Sequence, residues 1–267
     1  MSKTIRNILA AAACALLGAP AMAKWDLNLR PGVTELSHEA YRLHMNILYW
    51  CIGIAIVVFG AMIYSLLKFR RSQGAVADTN MTHSTKAEII WTVLPIIILV
   101  VMAIPAARAL IKIEDMRDSK LTVQVTGYQW KWHYNYIDEG VDFFSTLDRT
   151  SNEVRQLHSG KDPKDVPDYL LNVDNPMVVP VKTKVRVLIT AGDVLHAWWV
   201  PSLGVKKDAI PGMVNEVWFI ADEVGTFRGQ CAELCGRDHG FMPIVVEVKS
   251  QDEYAAWLQA HKKPAAN

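Results

Sequence analysis

Two cysteines, two histidines and a methionine stand at spacings that suit a bound metal. Cys231, Cys235, His239 and Met242 fall within twelve positions of the stretch GQCAELCGRDHGFMP, and His196 lies 35 residues upstream of Cys231. Thiolate, imidazole and thioether are soft-to-borderline donors that suit copper better than calcium or magnesium. A single blue-copper centre needs one cysteine, two histidines and a weak methionine, which leaves the second cysteine over. Two thiolates can each bridge two ions. One imidazole then serves each copper, and Met242 with a backbone carbonyl completes the set, so a pair of coppers uses every donor. Two alternatives stay open on spacing alone. In an exported domain Cys231 and Cys235 would pair as a disulfide by default. Zinc held by two cysteines and two histidines would leave Met242 without a role. His133 and His158 stand alone and read as surface or core residues.

The segments that must position these donors begin with an export signal. Lys3 and Arg6 supply the positive start, residues 8–18 the apolar core and Ala21-Met22-Ala23 the small-residue cleavage site, so residues 1–23 read as a signal peptide. Cys14 lies inside the apolar run and reads as part of it rather than as a lipid attachment point. Residues 24–42 form a short exported segment. Two uncharged runs follow, at 43–67 and from 89 to about 110, each near the 20 helical residues that cross a bilayer. The loop between them, 68–88, carries Lys68, Arg70, Arg71 and Lys86, which places it in the cytoplasm. Both termini and everything after the hairpin then lie on the periplasmic side of a bacterial inner membrane. Pro95 and Pro105 should kink the second helix, and Cys51 reads as a small apolar residue of the first. The chain carries 28 basic and 27 acidic side chains, a balance that gives no reason to expect nucleic acid as a partner.

From residue 120 to 250 the texture changes to short runs rich in Val, Ile, Thr and aromatics: LTVQVTGYQW, KWHYNY, NPMVVPV, KVRVLITA, NEVWFIA and MPIVVEV. Their lengths and alternation predict an all-β sandwich or barrel. The polar stretch 146–168 reads as a surface excursion. The tail 251–267 has helical propensity over its first half.

Four blocks in this order resemble subunit II of bacterial heme-copper cytochrome c oxidases: EIIWTVLP (88–95), GYQWKWHYNY (127–136), DVLHAWWVPSLGVKKDAIPG (193–212) and GQCAELCGRDHGFMPI (229–244). The resemblance implies a two-helix transmembrane hairpin followed by a cupredoxin-like domain holding the dinuclear copper A centre. Cys231 and Cys235 would bridge the coppers, with His196 and His239 as terminal ligands. Met242 and the main-chain carbonyl of Glu233 would be the weak axial ligands, and the Glu233 side chain would bind a magnesium ion shared with subunit I. Trp130 matches the tryptophan that receives electrons from cytochrome c. Glu88 matches the mouth of a proton channel leading into subunit I. Cytochrome c, subunit I, subunit III and the lipid bilayer are the implied partners. The implied role is to pass electrons from cytochrome c to haem in subunit I, where dioxygen is reduced to water and protons are pumped; the chain alone would not reduce oxygen. Asp193, Asp138, Glu139 and Asp142 are candidates to steer a basic donor. Lys131 departs from the family's aromatic at that place, which alters the docking patch.

Three rivals are distinguished by residues in the sequence. A quinol oxidase subunit II would lack the copper ligands. A soluble copper carrier would need neither hairpin nor YQW block, and the copper domain of nitrous oxide reductase lacks the hairpin.

Overall fold

The computed structural model of the chain describes residues 28–76, 79–80 and 82–262. The predicted signal peptide, 1–23, lies outside the described residues.

Helix α1 (Glu35–Lys68) and helix α2 (Thr85–Ile113) form the hairpin. Both are longer than the uncharged runs that marked them in sequence. At 1.5 Å per residue the 34 residues of α1 extend about 50 Å, against a hydrocarbon core of about 30 Å. The extra turns carry the charged residues Glu35, Glu39 and Arg42, which water solvates. The start of α1 is fixed by a capping box: Thr34 Oγ1 accepts from Ser37 N and Ser37 Oγ accepts from Thr34 N, both at 3.0 Å. The Thr34 hydroxyl also donates to Leu203 O at 2.8 Å, which ties the helix to the β-domain. Helix α2 runs on through Pro95 and Pro105. Its far end is held by Trp218, whose indole donates to Lys112 O at 3.3 Å. Between these ends the apolar stretches are wholly unburied in the isolated chain, as lipid-facing helices should be.

Among the described residues ten strands follow: β1 (Leu121–Tyr128), β2 (Lys131–Tyr136), β3 (Val141–Ser145), β4 (Met177–Pro180), β5 (Lys184–Ala191), β6 (His196–Val200), β7 (Val205–Ala209), β8 (Asn215–Ile220), β9 (Gly225–Cys231) and β10 (Pro243–Lys249). They make two five-stranded sheets, ordered β3-β2-β1-β5-β8 and β4-β10-β9-β6-β7. Burial alternates residue by residue along β2 and β5, the period of a sheet with one face in a core. Trp132, Tyr134, Tyr136, Trp198 and Phe219 fill the space between the sheets and are fully buried. Tyr136 locks the layers together: its hydroxyl donates to Val178 O at 2.7 Å and accepts from Val178 N at 2.8 Å, across from β2 to β4. Two such bonds contribute about 1 kcal/mol each. The family-implied sandwich is therefore observed.

The polar excursion is more ordered than its composition suggests. It contains helix α3 (Arg149–Val154), N-capped by Asp148, with Ser151 and Val154 buried against the domain. The tail begins with helix α4 (Gln251–His261), whose Trp257 ring packs against Tyr136 at a centroid distance of 5.3 Å.

Candidate metal centre

One end of the second sheet builds the site. Strands β6 and β9 run antiparallel with Trp198 opposite Cys231, and Ala232 N donates to Ala197 O at 3.0 Å. This register sets His196, at the start of β6, beside Cys231, at the end of β9. The loop 232–242 then curls back and enters β10 at Pro243, bringing Cys235, His239 and Met242 to the same point. His196 Nδ1 lies 3.8 Å from Cys231 Sγ, and the two sulfurs are 3.9 Å apart. Cys235 Sγ is 3.5 Å from both His239 Nδ1 and Met242 Sδ. Glu233 O lies 3.3 Å from Cys231 Sγ. All six donors anticipated from the sequence are thus in one cluster. His196, Cys231, Cys235 and Met242 are buried, whereas the Glu233 side chain is exposed.

The two thiols are free, so the disulfide alternative does not describe this structure. Their ionisation is unequal. Burial pushes the Cys231 thiol up, but the facing His196 ring and nearby backbone groups outweigh it and bring the thiol below its usual range. Burial and then the charge of Cys231 push Cys235 well above it. A second thiolate needs positive charge placed between the sulfurs. The donor set therefore fits a soft cationic centre.

Gln129 and Asp193 hold the imidazole, a task the sequence did not announce. Asp193 Oδ1 lies 3.0 Å from His196 Nε2, and Asp193 Oδ2 accepts from Gln129 N at 2.7 Å. A proton on Nε2 leaves the Nδ1 lone pair directed at Cys231, the tautomer a metal ligand needs. Burial raises the Asp193 carboxyl, but its hydrogen bonds from His196, Gln129 and Val194 prevail and keep it below the usual carboxylate range. Gln129 Nε2 also donates to Cys235 O at 2.8 Å. Asp193, read from sequence as a steering charge, is engaged with a ligand instead. The signal was present in the i, i+3 spacing to His196, but spacing does not reveal direction.

Packing fixes the rest. Trp132 meets the His196 ring edge-on at 5.9 Å and donates its indole N–H to Met242 O at 3.3 Å. On the opposing sheet Gly127 leaves room for that ring, since a Cβ there would lie 2.9 Å from two of its carbons. From α3, Arg155 reaches the ligand loop: its guanidinium sits 4.3 Å from the Phe241 ring centre and 3.5 Å from Asp238 Oδ2. Neither contact is visible in the sequence, because α3 lies more than 80 residues from that loop.

Trp130 stands in the β1–β2 turn against Gly236, where a Cβ would come within 3.2 Å of its ring. The φ of +118° at Gly236 is open only to glycine. Trp130 is therefore next to Cys235 in space although 105 residues away. Glu88 is not part of this cluster. It occupies the first turn of α2, 25 residues before the helix end that meets the β-domain, or about 38 Å along the axis. Sequence placed it at the end of the connecting loop; it is helical.

Comparison with known proteins agrees with this picture. Residues 121–249 match the family model for the cytochrome c oxidase subunit II periplasmic domain, and residues 22–108 match the model for the subunit II transmembrane domain. The chain belongs to the cytochrome c oxidase subunit II family. It is 40% identical to a probable cytochrome c oxidase subunit 2 of Rickettsia bellii, over 91% of this chain and 87% of that one. Identity to cytochrome c oxidase subunit 2 of Cereibacter sphaeroides is 37%, over 94% and 89% of the two chains. Among solved structures, the periplasmic domain of cytochrome oxidase subunit II from Bradyrhizobium japonicum is 43% identical, with a TM-score of 0.48, and the alignment covers 55% of this chain and 96% of that one. The family makes the chain a membrane-bound component of an oxidoreductase complex. Family membership also disfavours zinc and a free-standing copper carrier as readings of the ligand cluster.

Proposed function

We propose that this chain receives single electrons from a cytochrome c on the periplasmic face and conducts them toward haem in subunit I. The observation that carries the proposal is the cluster of two cysteines, two histidines and a methionine, buried except for the partly exposed His239, with Glu233 O beside it, in contacts of 3.3–3.9 Å. His196, Cys231, Glu233 O, Cys235, His239 and Met242 would hold the two ions of a copper A centre. When bound, that centre supplies a one-electron store whose bond-length changes are spread over two ions.

The chain's own residues keep the cost of electron transfer low. Strands β6 and β9 and the neighbouring Trp132 brace the ligands through their register, the bond to Met242 O and the contact with the His196 ring, which favours little rearrangement on a change of charge. Burial of His196 and Cys231 excludes water from the cluster. Asp193 fixes the His196 ring and tunes its basicity. Trp130 brings an aromatic ring from near the surface to the rim of the ligand loop, where a donor can reach it. The exposed Glu233 carboxylate would hold a magnesium ion shared with subunit I. Glu88, at the cytoplasmic start of α2, would open a proton path into subunit I, and subunit III would complete the assembly in the bacterial inner membrane. Reduction of dioxygen and proton pumping then belong to the assembled complex.

Rapid-mixing reduction of the assembled oxidase by cytochrome c tests the proposal. Trp130→Phe should slow electron arrival by at least an order of magnitude while leaving the copper spectrum intact. Unchanged arrival would remove Trp130 from the path.

A further inference from the structure

The charges around Trp130 are not those a basic donor would call for. Four carboxylates were candidates to attract such a donor, and the structure places none of them free beside the indole. Asp193 keeps its charge, but its oxygens are turned to His196 and Gln129 N. Asp142 pairs with His133 at 3.3 Å, and Glu139 with Lys262 at 3.3 Å. Asp138 and Glu139 sit in the turn at the far end of β2, roughly 20 Å along the strand from Trp130.

The group that does cover the indole is a cation. The Arg237 guanidinium lies 5.4 Å from the Trp130 ring centre, with its side chain 81% exposed. A carboxylate neighbour, Asp238, is 3.4 Å away but only 16% exposed, and it is shared with Arg155 on its other side. Two arginines around one carboxylate leave a net positive charge. Lys131, the residue after Trp130, adds a second cation, its Nζ resting 4.2 Å from the Phe144 ring centre. A donor that contacts the Trp130 ring on the side of Arg237 with a lysine-rimmed face would meet like charge there. Such juxtaposition acts mainly through association rate and specificity.

We infer that Arg237, supported by Lys131, selects a one-electron donor protein that presents a carboxylate at the centre of its docking face. The inference rests on Trp130 as the point where electrons arrive. Arg237 is thus a specificity residue for the partner rather than a ligand of the metal.

The assembled oxidase tests this with two reduced probes: native horse heart cytochrome c, rimmed with lysines, and the same protein with its lysines succinylated to carboxylates. At low ionic strength Arg237→Glu should raise kcat/KM for the native probe roughly three- to tenfold and lower it by a similar factor for the succinylated one. Lys131→Glu, which lies outside the ligand loop, should move both probes in the same directions by a smaller factor. High salt should erase both differences. Parallel gains or losses with both probes, or no change in either variant, would overturn the inference. If Arg237→Glu alters the copper spectrum, Lys131→Glu decides the matter alone. Trp130→Phe separates the two layers. If it leaves turnover of both probes undiminished, Trp130 is not the arrival point and the inference falls with it. If it slows both while the charge variants are indifferent, only the docking inference fails.

Discussion

Cys51 and the pair Cys231 and Cys235 are the same residue type in two settings, and the contrast shows how the two halves of the chain work. Cys51 sits on α1, exposed on a helix whose apolar stretch has none of its residues buried. Cys231 and Cys235 are buried between strands and a loop, and hydrogen bonds with Gln129, Trp132 and Asp193 reach the Cys235 and Met242 carbonyls and the His196 ring from other elements. In the hairpin the burial of the two helices is confined to Leu36, Ser37 and Ala109, at the ends that meet the β-domain. In the β-domain every strand contributes buried residues. A lipid-facing helix must be apolar and long enough, and little else is asked of its individual side chains. A metal loop is asked for particular atoms at particular places.

That contrast can be broken or sharpened by substitution. The largest effect should come from Cys231→Ser, which keeps the volume but removes a bridging thiolate: copper per chain should fall below two and any electron shared over two nuclei should disappear, read by metal analysis and EPR. Asp193→Asn should leave the fold intact, since the amide nearly matches the carboxylate in shape. It keeps one acceptor oxygen where Asp193 uses two, toward His196 and toward Gln129 N, and it drops the charge, so copper affinity should fall about 10- to 100-fold in competition with a chelator. Thr34→Ala acts in the other region. It removes the helix cap and the bond to Leu203, so about 1–2 kcal/mol of local stability should go, seen as faster amide exchange at the start of α1 with the copper spectrum unchanged. The smallest effect belongs to Cys51→Ala, which should alter neither metal content nor turnover. A marked loss of copper in Cys51→Ala would erase the distinction between the two regions.

The sequence made most of this architecture legible, for reasons that differ by region. The membrane runs announce themselves because a lipid environment tolerates so few charges that composition alone marks them. Their ends were less visible: the first turns of α1 and α2 are polar helix, and that of α1 is set by its Thr34 cap and by the bond to Leu203 of the β-domain rather than by apolar content. The strands followed from alternation. The ligands followed from residue type and spacing because Cys231, Cys235, His239 and Met242 sit in one loop. His196 joined them by donor type from 35 residues upstream, and only the β6–β9 register shows why it belongs there. What stayed hidden is whatever depends on direction across long separations. Asp193 reads as a surface charge until its carboxylate is seen on the His196 ring. Arg155 reads as part of a polar excursion until α3 is seen against Phe241 and Asp238. Arg237 carries no signal until its guanidinium is found over Trp130.

The central claim is that one loop and one strand end hold two coppers as a single electron carrier. The direct measurement is copper stoichiometry of the purified chain together with its EPR spectrum. Two coppers per chain, with hyperfine structure from one electron shared equally by both nuclei, is the predicted result. One copper with a localised signal, or a metal-free Cys231–Cys235 disulfide that persists after loading under reducing conditions, would contradict it.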